Sequence, residues 1–249
     1  MQWEDEGYVL KVAPQGESSL VLHLLTRAHG RHAGLVRGGR GSRNRGAYEI
    51  GGLLQVSWRA RLAGHLGGFA CESLRSYAAL LIEDPERLAA LAAAAGLIEA
   101  GLPEREPAPA LFEAFGALLT ALTESESWPA VYVLFELRFL ALMGFGLDLS
   151  SCAATGGRDE LVYVSPRSGQ AVSAQAGAPY RDRLLPLPAF ILAPRPHESR
   201  PSRTEILDGL RLTGYFLGRN LTLPPARDRF VDRLRQRAAL SGPASNGPI

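Results

Sequence analysis

Short runs of alternating apolar and polar residues fill the first eighty positions of the chain. In one run Leu20, Leu22 and Leu24 share a face, which is the period-two pattern of a half-buried strand. Turn-forming residues separate the runs, and no helical pattern interrupts them. The predicted strands are residues 7–13, 19–25, 31–37, 53–60 and 68–74. Strands so short and so closely spaced predict a small closed barrel, and the OB-like barrel is the common oligonucleotide-binding architecture of this size.

From about residue 81 the apolar positions follow the three- and four-residue spacing of helices. Asp84 before Pro85 favours a helix start, because the Asp side chain accepts a backbone N–H and proline loses none at the first helical position. Ser202 and Glu205 have the spacing of a capping box. The predicted helices are residues 85–100, 110–123, 127–143, 202–219 and 226–237.

A change of pattern between the third and fourth predicted helices indicates a small β-insert at about residues 147–180. It contains one short predicted strand, residues 161–164, followed by a turn. Residues 238–249 are rich in Ser, Gly, Pro and Asn, which predicts a disordered tail. The expected fold class is therefore α+β, with an OB-like β-barrel domain at 1–80 and a mainly helical domain at 81–237 that carries the insert.

Bulk composition is typical of a soluble globular protein. Hydrophobic residues make up 46% of the 249 positions, and the mean hydropathy is −0.01. No apolar run approaches the roughly 18 residues that a membrane-spanning helix needs. The acidic first residues lack the apolar segment of a signal peptide, and Cys71 and Cys152 are too few for a disulfide framework. We expect a cytoplasmic protein that does not contact membranes.

The net charge of +2 conceals an uneven distribution along the chain. Residues 1–80 carry a net charge of +4, residues 81–150 carry −8, and residues 151–249 carry +6. Lys11 is the only lysine among the 27 basic residues. Arginine binds phosphate through two parallel hydrogen bonds and stacks on bases, which suits nucleic acid. Because a GC-rich genome also raises arginine content, the clustering of arginine is the stronger argument.

The densest cluster lies in the predicted barrel, where eight arginines accompany one acidic residue, Glu49, between positions 27 and 61. Glycines among four of them, at 36–46, leave the backbone free to approach a phosphate chain. Two aromatic residues nearby offer stacking surfaces for single strands. The predicted DNA-binding residues are Arg27, Arg31, Arg37, Arg40, Arg43, Arg45, Arg59 and Arg61, with Tyr48 and Trp58. The alternative interpretation is a solvated loop with incidental charge.

Motifs for catalysis or cofactor binding are absent from the sequence. No Walker motif, dinucleotide fingerprint, nucleophile elbow or His-Glu-x-x-His helix occurs. His29 and His32 have a spacing that metal ligands can use, but a turn is expected to separate them. Cys152 and Thr155 have the spacing of a zinc knuckle whose second thiol is missing. We therefore expect no enzyme activity, no cofactor and no bound metal.

Several segments together resemble the RecO family of recombination mediators, in the expected order and over about residues 3–235. The segments are EGYVL (6–10), HLLTRAHG (23–30), VRGGR (36–40), FELRFLALMGFGLDLSSC (135–152) and YVSPRSG (163–169). Each segment alone is moderately specific, whereas the combination is specific.

The resemblance implies an N-terminal OB domain, a helical domain and a zinc-finger-like form for the insert. It implies binding to single- and double-stranded DNA and annealing of complementary strands. It further implies work with RecR in the RecF-type repair pathway, loading RecA onto DNA coated with single-stranded-DNA-binding protein, at the nucleoid. Zinc-bearing members of the family carry two Cys pairs in the insert. Because this chain keeps Cys152 alone there, an insert without zinc is predicted.

The resemblance also implies a groove on the helical domain for the acidic C-terminal tail of the single-stranded-DNA-binding protein. The residues predicted to bind it are Arg138, Phe135 and Leu142. An arginine surrounded by apolar residues needs a partner for its charge. That partner is either the terminal carboxylate of the tail or an internal carboxylate such as Glu113 or Glu136.

Two other functions remain open at this point. One is an RNA-binding OB-fold protein of translation or RNA processing, which competition between DNA and RNA of equal length would separate. The other is an adaptor whose barrel binds only protein. It would show no salt-dependent DNA binding.

Overall fold

The computed structural model describes residues 1–41, 46–62, 64–195 and 200–240, the last three without their side chains. Five N-terminal strands are followed by helices, which confirms the α+β class. The strands are β1 (Gln2–Gln15), β2 (Ser19–Thr26), β3 (Gly30–Val36), β4 (Gly52–Arg59) and β5 (Gly68–Ser76). They close into a barrel in the order β1-β2-β3-β5-β4. All five predicted strands are present, and β1 begins five residues earlier than predicted.

The early start of β1 follows from its pairing. Neighbouring strands are antiparallel except for β3 and β5, which meet in parallel at Leu35 and Gly68. Trp3 lies opposite Trp58 of β4, so the acidic first residues join the ladder although they lack an apolar pattern. Alternate residues of β2, β3 and β4 are buried, and a cluster that includes Leu22 and Val56 fills the barrel.

The helices agree closely with their sequence signals. They are α1 (Tyr77–Leu80), α2 (Pro85–Gly101), α3 (Pro109–Glu124), α4 (Trp128–Leu142), α5 (Ala174–Gly177), α6 (Arg203–Asn220) and α7 (Pro225–Leu240). The Asp84 side chain accepts the backbone N–H groups of residues 86 and 87, as the start signal predicted. The capping box of Ser202 and Glu205 is complete. The four-residue helices α1 and α5 are too short to produce a detectable period.

The insert forms a three-stranded sheet in the order β7-β6-β8. Its strands are β6 (Leu161–Val164), β7 (Ala171–Ser173) and β8 (Leu185–Pro186). The third strand lies beyond the predicted end of the insert at residue 180, because two residues are too few to show alternation. Val164 and Leu185 share a buried cluster with Phe216 of α6, so the packing of the sheet against α6 holds the insert in place.

One hydrophobic core joins the barrel to the helices. Tyr8, Leu10 and Leu25 point out of the barrel and belong to the same buried cluster as the residues of α2 and α3. The Tyr8 ring centroid lies 4.7 Å from that of Phe112 and 5.4 Å from that of Phe115. Burial raises the pKa of Tyr8 to about 12. The helices therefore cover this side of the barrel. Within the described ranges, no helix is long and apolar enough to cross a membrane.

Candidate nucleic-acid interface

A groove of about 1030 Å³ lies on the barrel surface, and its described lining residues include none from a helix. It is bounded by the end of β3, the first half of β5, and the described residues between β4 and β5; we call it the barrel groove. Its lining includes four of the residues predicted to bind DNA. They are Arg37, Arg59, Arg61 and Tyr48.

Alternation along the strands places the basic groups at the rim. In β4, Val56 and Trp58 point into the barrel, so Arg59 points outward and is exposed. Arg37 and Arg61 are exposed as well, each just past the end of its strand. His65 also lines the groove, and sequence reasoning missed it. The signal available was its place in a predicted turn beside Arg61.

The described charged residues that line the barrel groove are all arginines, and the nearby Glu4 accepts a hydrogen bond from the lining residue Ser57 at 3.0 Å. Among its described lining residues there is no Asp or Glu. The described ion pairs involve none of its three arginines. Burial raises the pKa of the Cys71 thiol to about 12, and burial and the neighbouring Cys71 raise the pKa of Tyr48. The floor is therefore neutral at pH 7 under a positive rim, an arrangement that attracts a polyanion.

The loop that carries Arg61 and His65 is fixed by backbone contacts. The indole Nε1 of Trp58 donates to the carbonyl oxygen of Leu66 at 3.0 Å. Gly67 has φ +65°, and a Cβ there would lie 2.5 Å from that same Nε1, so the loop needs glycine at this position. Trp58 itself is 3% exposed. Its predicted role as a stacking surface does not fit this placement, because its ring faces the barrel interior.

Two other predicted arginines lie at the junction with the helices. Arg31 donates from Nε to the Leu102 carbonyl at 2.7 Å, and its guanidinium is 3.5 Å from both Glu99 and Glu104. Arg27 pairs with Glu6 at 3.0 Å and with Glu113 of α3, and its guanidinium stacks on the ring of Phe112. These side chains are directed toward carboxylates and away from the barrel groove.

The last three arginines of the predicted cluster are Arg40, Arg43 and Arg45. Arg40 is exposed beside the β1–β2 turn and donates to the Gly16 carbonyl at 3.1 Å. The predictions for Arg43 and Arg45 fall outside the described residues.

The predicted tail-binding residues are spread over different depths of α4. Arg138 is exposed, so the premise that apolar residues surround its charge is wrong. The carboxylates considered as its internal partners pair elsewhere, Glu113 with Arg27 and Glu136 with Arg227. Phe135 is 4% exposed and packs within the core, whereas Leu142 is partly buried. Of the three residues, Arg138 alone is exposed.

The buried charge of α4 is Glu136. Its two oxygens accept hydrogen bonds from Nε and Nη2 of Arg227 at 2.7 and 2.8 Å, and both residues are almost completely buried. Arg227 also donates to the Leu210 carbonyl at 2.9 Å. This pair ties α7 to α4 through residues 91 positions apart. No local pattern in the sequence reports such a contact.

The donor atoms of the insert do not fit a zinc ion. The Sγ atom of Cys152 lies 3.5 Å from the Ser173 hydroxyl and accepts its backbone N–H at 3.3 Å. Hydrogen bonds from Ser173 and Thr155 lower the pKa of this thiol to about 6. Hydroxyl groups thus stand where further thiolates would be needed. In the part of the chain that the structure describes, no three His, Cys, Asp or Glu side chains form a possible metal site.

The two histidines with ligand-like spacing both contact Trp3 but differ in burial. His29 stacks on Trp3 with ring centroids 4.0 Å apart, and its Nδ1 is 3.0 Å from Asp5. His32 is 4% exposed inside the barrel, between Trp3 and Trp58. Neither of its ring nitrogens has a hydrogen-bond partner among the described residues.

Comparison with protein families assigns both parts of the chain. A family profile described as Recombination protein O N terminal matches residues 1–77, and one described as Recombination protein O C terminal matches residues 82–229. The two matched ranges meet at α1, between the end of the barrel and the start of α2.

Full-length relatives agree with these profiles. A protein of Rhodospirillum centenum named DNA repair protein RecO is 50% identical over an alignment of 250 positions. The alignment covers 97% of this chain and 98% of the relative. The proteins of that name from Rhodospirillum rubrum and Methylorubrum extorquens are each 48% identical. The matches to them cover 96% and 94% of this chain and 98% and 96% of the relatives.

Proposed function

We propose, from the premise that the chain belongs to the recombination protein O family, that it is a DNA-binding recombination mediator that turns over no substrate. The family supports a role in DNA repair and recombination, and its members are named for that role. The finer proposal is that the protein binds single- and double-stranded DNA and anneals complementary strands. It would do so with RecR, helping to load RecA at the nucleoid onto DNA coated with single-stranded-DNA-binding protein.

The barrel groove carries the DNA-binding part of the proposal. Its rim presents three exposed arginines with no carboxylate among the described lining residues. A phosphate chain in the groove replaces its counterions with these guanidinium groups, which favours binding at low salt. Five-stranded barrels of the OB type bind oligonucleotides on their outer face, and we propose that this barrel does the same.

Tyr48 adds a second type of contact to the barrel groove. Its ring is half-buried and lines the groove beside Cys71, and its phenol is neutral at pH 7. A base of a single strand can stack on this ring while the phosphates follow the arginine rim. Because paired bases cannot reach the ring, Tyr48 favours single-stranded DNA over duplex.

Arg138 carries the proposal for the protein partner. It is exposed on α4, with Leu142 partly buried on the same helix and Phe145 43% exposed just beyond its end. We propose that the terminal carboxylate of the acidic tail of the single-stranded-DNA-binding protein binds Arg138. The apolar end of the tail would contact Leu142 and Phe145, while Phe135 supports the site from beneath.

The DNA-binding proposal is tested by fluorescence anisotropy with a labelled single strand over a series of salt concentrations. Replacing Arg37, Arg59 and Arg61 together by Ala should weaken binding to every sequence and reduce the salt slope by about one unit for each lost contact. The matched control is Arg158→Ala, which removes an exposed arginine of the insert. Equal affinity and slope in the triple variant and wild type would disprove the groove as the DNA site.

The same assay separates the other two functions. An RNA of equal length that competes better than DNA would favour an RNA-binding protein. Wild-type protein without any salt-dependent binding to either polymer would favour an adaptor that binds only protein.

The tail proposal is tested with a fluorescent peptide of the tail. Arg138→Ala should weaken peptide binding about tenfold, because a charge-assisted hydrogen bond is lost. DNA affinity should stay unchanged in this variant, and circular dichroism checks its fold. A folded Arg138→Ala that binds the peptide as tightly as wild type would exclude this role.

A further inference from the structure

The connection between α2 and α3, residues 102–108, lies against the barrel next to the start of β3. The backbone N–H of Arg105 donates to the Arg31 carbonyl at 2.7 Å, and Glu104 forms a parallel bridge with Arg31. Gly30 allows this approach, because a Cβ at that position would lie 1.8 Å from the Glu106 carbonyl oxygen. The connection is thus held in one place on the barrel surface.

Arg105 extends from this connection to the loop that borders the barrel groove. Its Nη2 donates to the carbonyl oxygen of His65 at 2.8 Å. The backbone of Arg105 has φ +63°, a conformation that residues other than glycine seldom adopt. The surrounding contacts outweigh this strain. A helical-domain side chain therefore bonds to the backbone of a groove loop.

The contact falls on the part of the loop that carries the basic groups. Leu66 and Gly67 are fixed to the barrel, the first by the Trp58 indole and the second by the backbone N–H of Leu35 at 3.1 Å. Arg61 and His65 lie before these anchors. The hydrogen bond from Arg105 holds the His65 carbonyl, and so it limits how far this part of the loop can move from the groove.

We propose that Arg105 is a positioning residue for DNA binding, which sets the β4–β5 loop so that Arg61 and His65 face the barrel groove. Arg105 is not among the described lining residues of the groove, so it acts through the loop rather than by touching DNA. This inference rests on the proposed function. It adds that the helical domain contributes to the affinity of the barrel for DNA.

The test is a double-mutant cycle in the full-length protein, with anisotropy on single-stranded DNA. Arg105→Ala should weaken binding roughly three- to tenfold, the effect of about one hydrogen bond. Arg105→Lys should recover part of the loss, since an ammonium group can donate to the same carbonyl. In an Arg61→Ala, His65→Ala background, Arg105→Ala should have little further effect, because the groups it positions are gone.

Hydrogen exchange of the free protein provides an independent readout. Arg105→Ala should speed exchange in peptides that cover residues 60–67 while α2 and α3 keep the protection of wild type. Loss of protection throughout the helices would mean that Arg105 has only a general structural role, and it would overturn the inference.

The binding data distinguish the remaining outcomes. Additive losses in the cycle, with a salt slope lowered by one unit in Arg105→Ala alone, would mean that Arg105 contacts phosphate directly and would overturn the positioning role. Wild-type affinity in Arg105→Ala would overturn it too, provided that Arg61→Ala weakens binding. Wild-type affinity in the Arg61→Ala, His65→Ala protein would instead exclude these two groove residues from DNA binding and so contradict the proposed function of the groove.

Discussion

Arg31 on β3 and Arg59 on β4 both point outward from the barrel, yet their surroundings are opposite. Arg31 faces the helices, is 15% exposed and lies near two carboxylates. Arg59 faces the barrel groove, is exposed, and has no carboxylate among the described groove residues. The comparison shows that arginine occurs in two different electrostatic surroundings on one barrel. On this barrel an arginine with a carboxylate partner joins the barrel to the helices, and we propose that an arginine without one binds a polyanion.

The largest effect should come from the most completely paired arginine. Arg227→Ala leaves Glu136 buried and unpaired, and we expect the free energy of unfolding to fall by about 3–5 kcal/mol. DNA affinity of the folded protein should not change. Chemical denaturation measures the first quantity and anisotropy the second. The control is Arg229→Ala, an exposed arginine on the same helix, which should alter stability by less than about 0.5 kcal/mol.

A second variant sharpens this prediction. Replacing Glu136 and Arg227 together by Leu and Met should recover much of the lost stability, because no unpaired charge remains in the core. A double variant as unstable as Arg227→Ala would show that packing, rather than the uncompensated carboxylate, causes the loss.

His32 is buried inside the barrel and should make the free energy of unfolding depend on pH. Burial, Arg105 and His29 lower its pKa from the ordinary 6.5 to about 4. Below pH 6.5 His32 is protonated in the unfolded chain but stays neutral in the folded chain until the pH approaches 4. The contribution of neutral His32 to the free energy of unfolding is therefore complete above pH 6.5. It is lost as the pH falls to about 4. The loss amounts to about 3 kcal/mol at most.

His32→Phe provides the reference for this measurement. Phe fits the aromatic surroundings and does not titrate, so the variant should lose less stability than wild type between pH 7 and pH 4. Denaturant unfolding at several pH values gives the difference between the two proteins. Parallel stability curves would show that His32 is not kept neutral by the fold.

Arg31→Ala tests the junction directly. We expect a loss of about 2 kcal/mol in unfolding free energy, because a largely buried guanidinium gives up its hydrogen bond to Leu102 and two nearby carboxylates. The salt slope of DNA binding should remain that of wild type. A slope lower by about one unit would assign Arg31 to the DNA contacts as well and would weaken the comparison.

Local periodicity explains how much of this fold was predictable. The five strands and five long helices follow from alternation, helical spacing and end signals that each span a few residues, such as Asp84 and the Ser202–Glu205 capping box. The short elements α1, α5 and β8 carry too few residues to show a period. Their presence depends on packing against distant parts of the chain.

The candidate site was predictable in part, for a related reason. Clustering of arginine selected three residues that line the groove, whereas the prediction for Trp58 overlooked the alternation in β4, which turns Trp58 inward and Arg59 outward. What clustering does not reveal is pairing. Arg27 meets Glu113 across 86 positions, so the sequence gives no sign that this arginine is occupied. Which arginines have carboxylate partners is therefore determined by the tertiary structure.

Arg27→Ala should have the smallest effect on the free energy of unfolding. It still decides whether Arg27 belongs with the arginines at the junction with the helices or with those that bind DNA. Its side chain is 47% exposed, and it bonds to Glu6 and Glu113 over the ring of Phe112. Solvent weakens such ion pairs, so the loss of stability should stay below about 1 kcal/mol, including the contact with the ring. If Arg27 serves the junction, the salt slope of DNA binding is that of wild type. If DNA uses it, the slope falls by about one unit while stability hardly changes. Arg59→Ala, measured alongside, should show the second pattern, and identical patterns in the two variants would remove the distinction between the faces of the barrel.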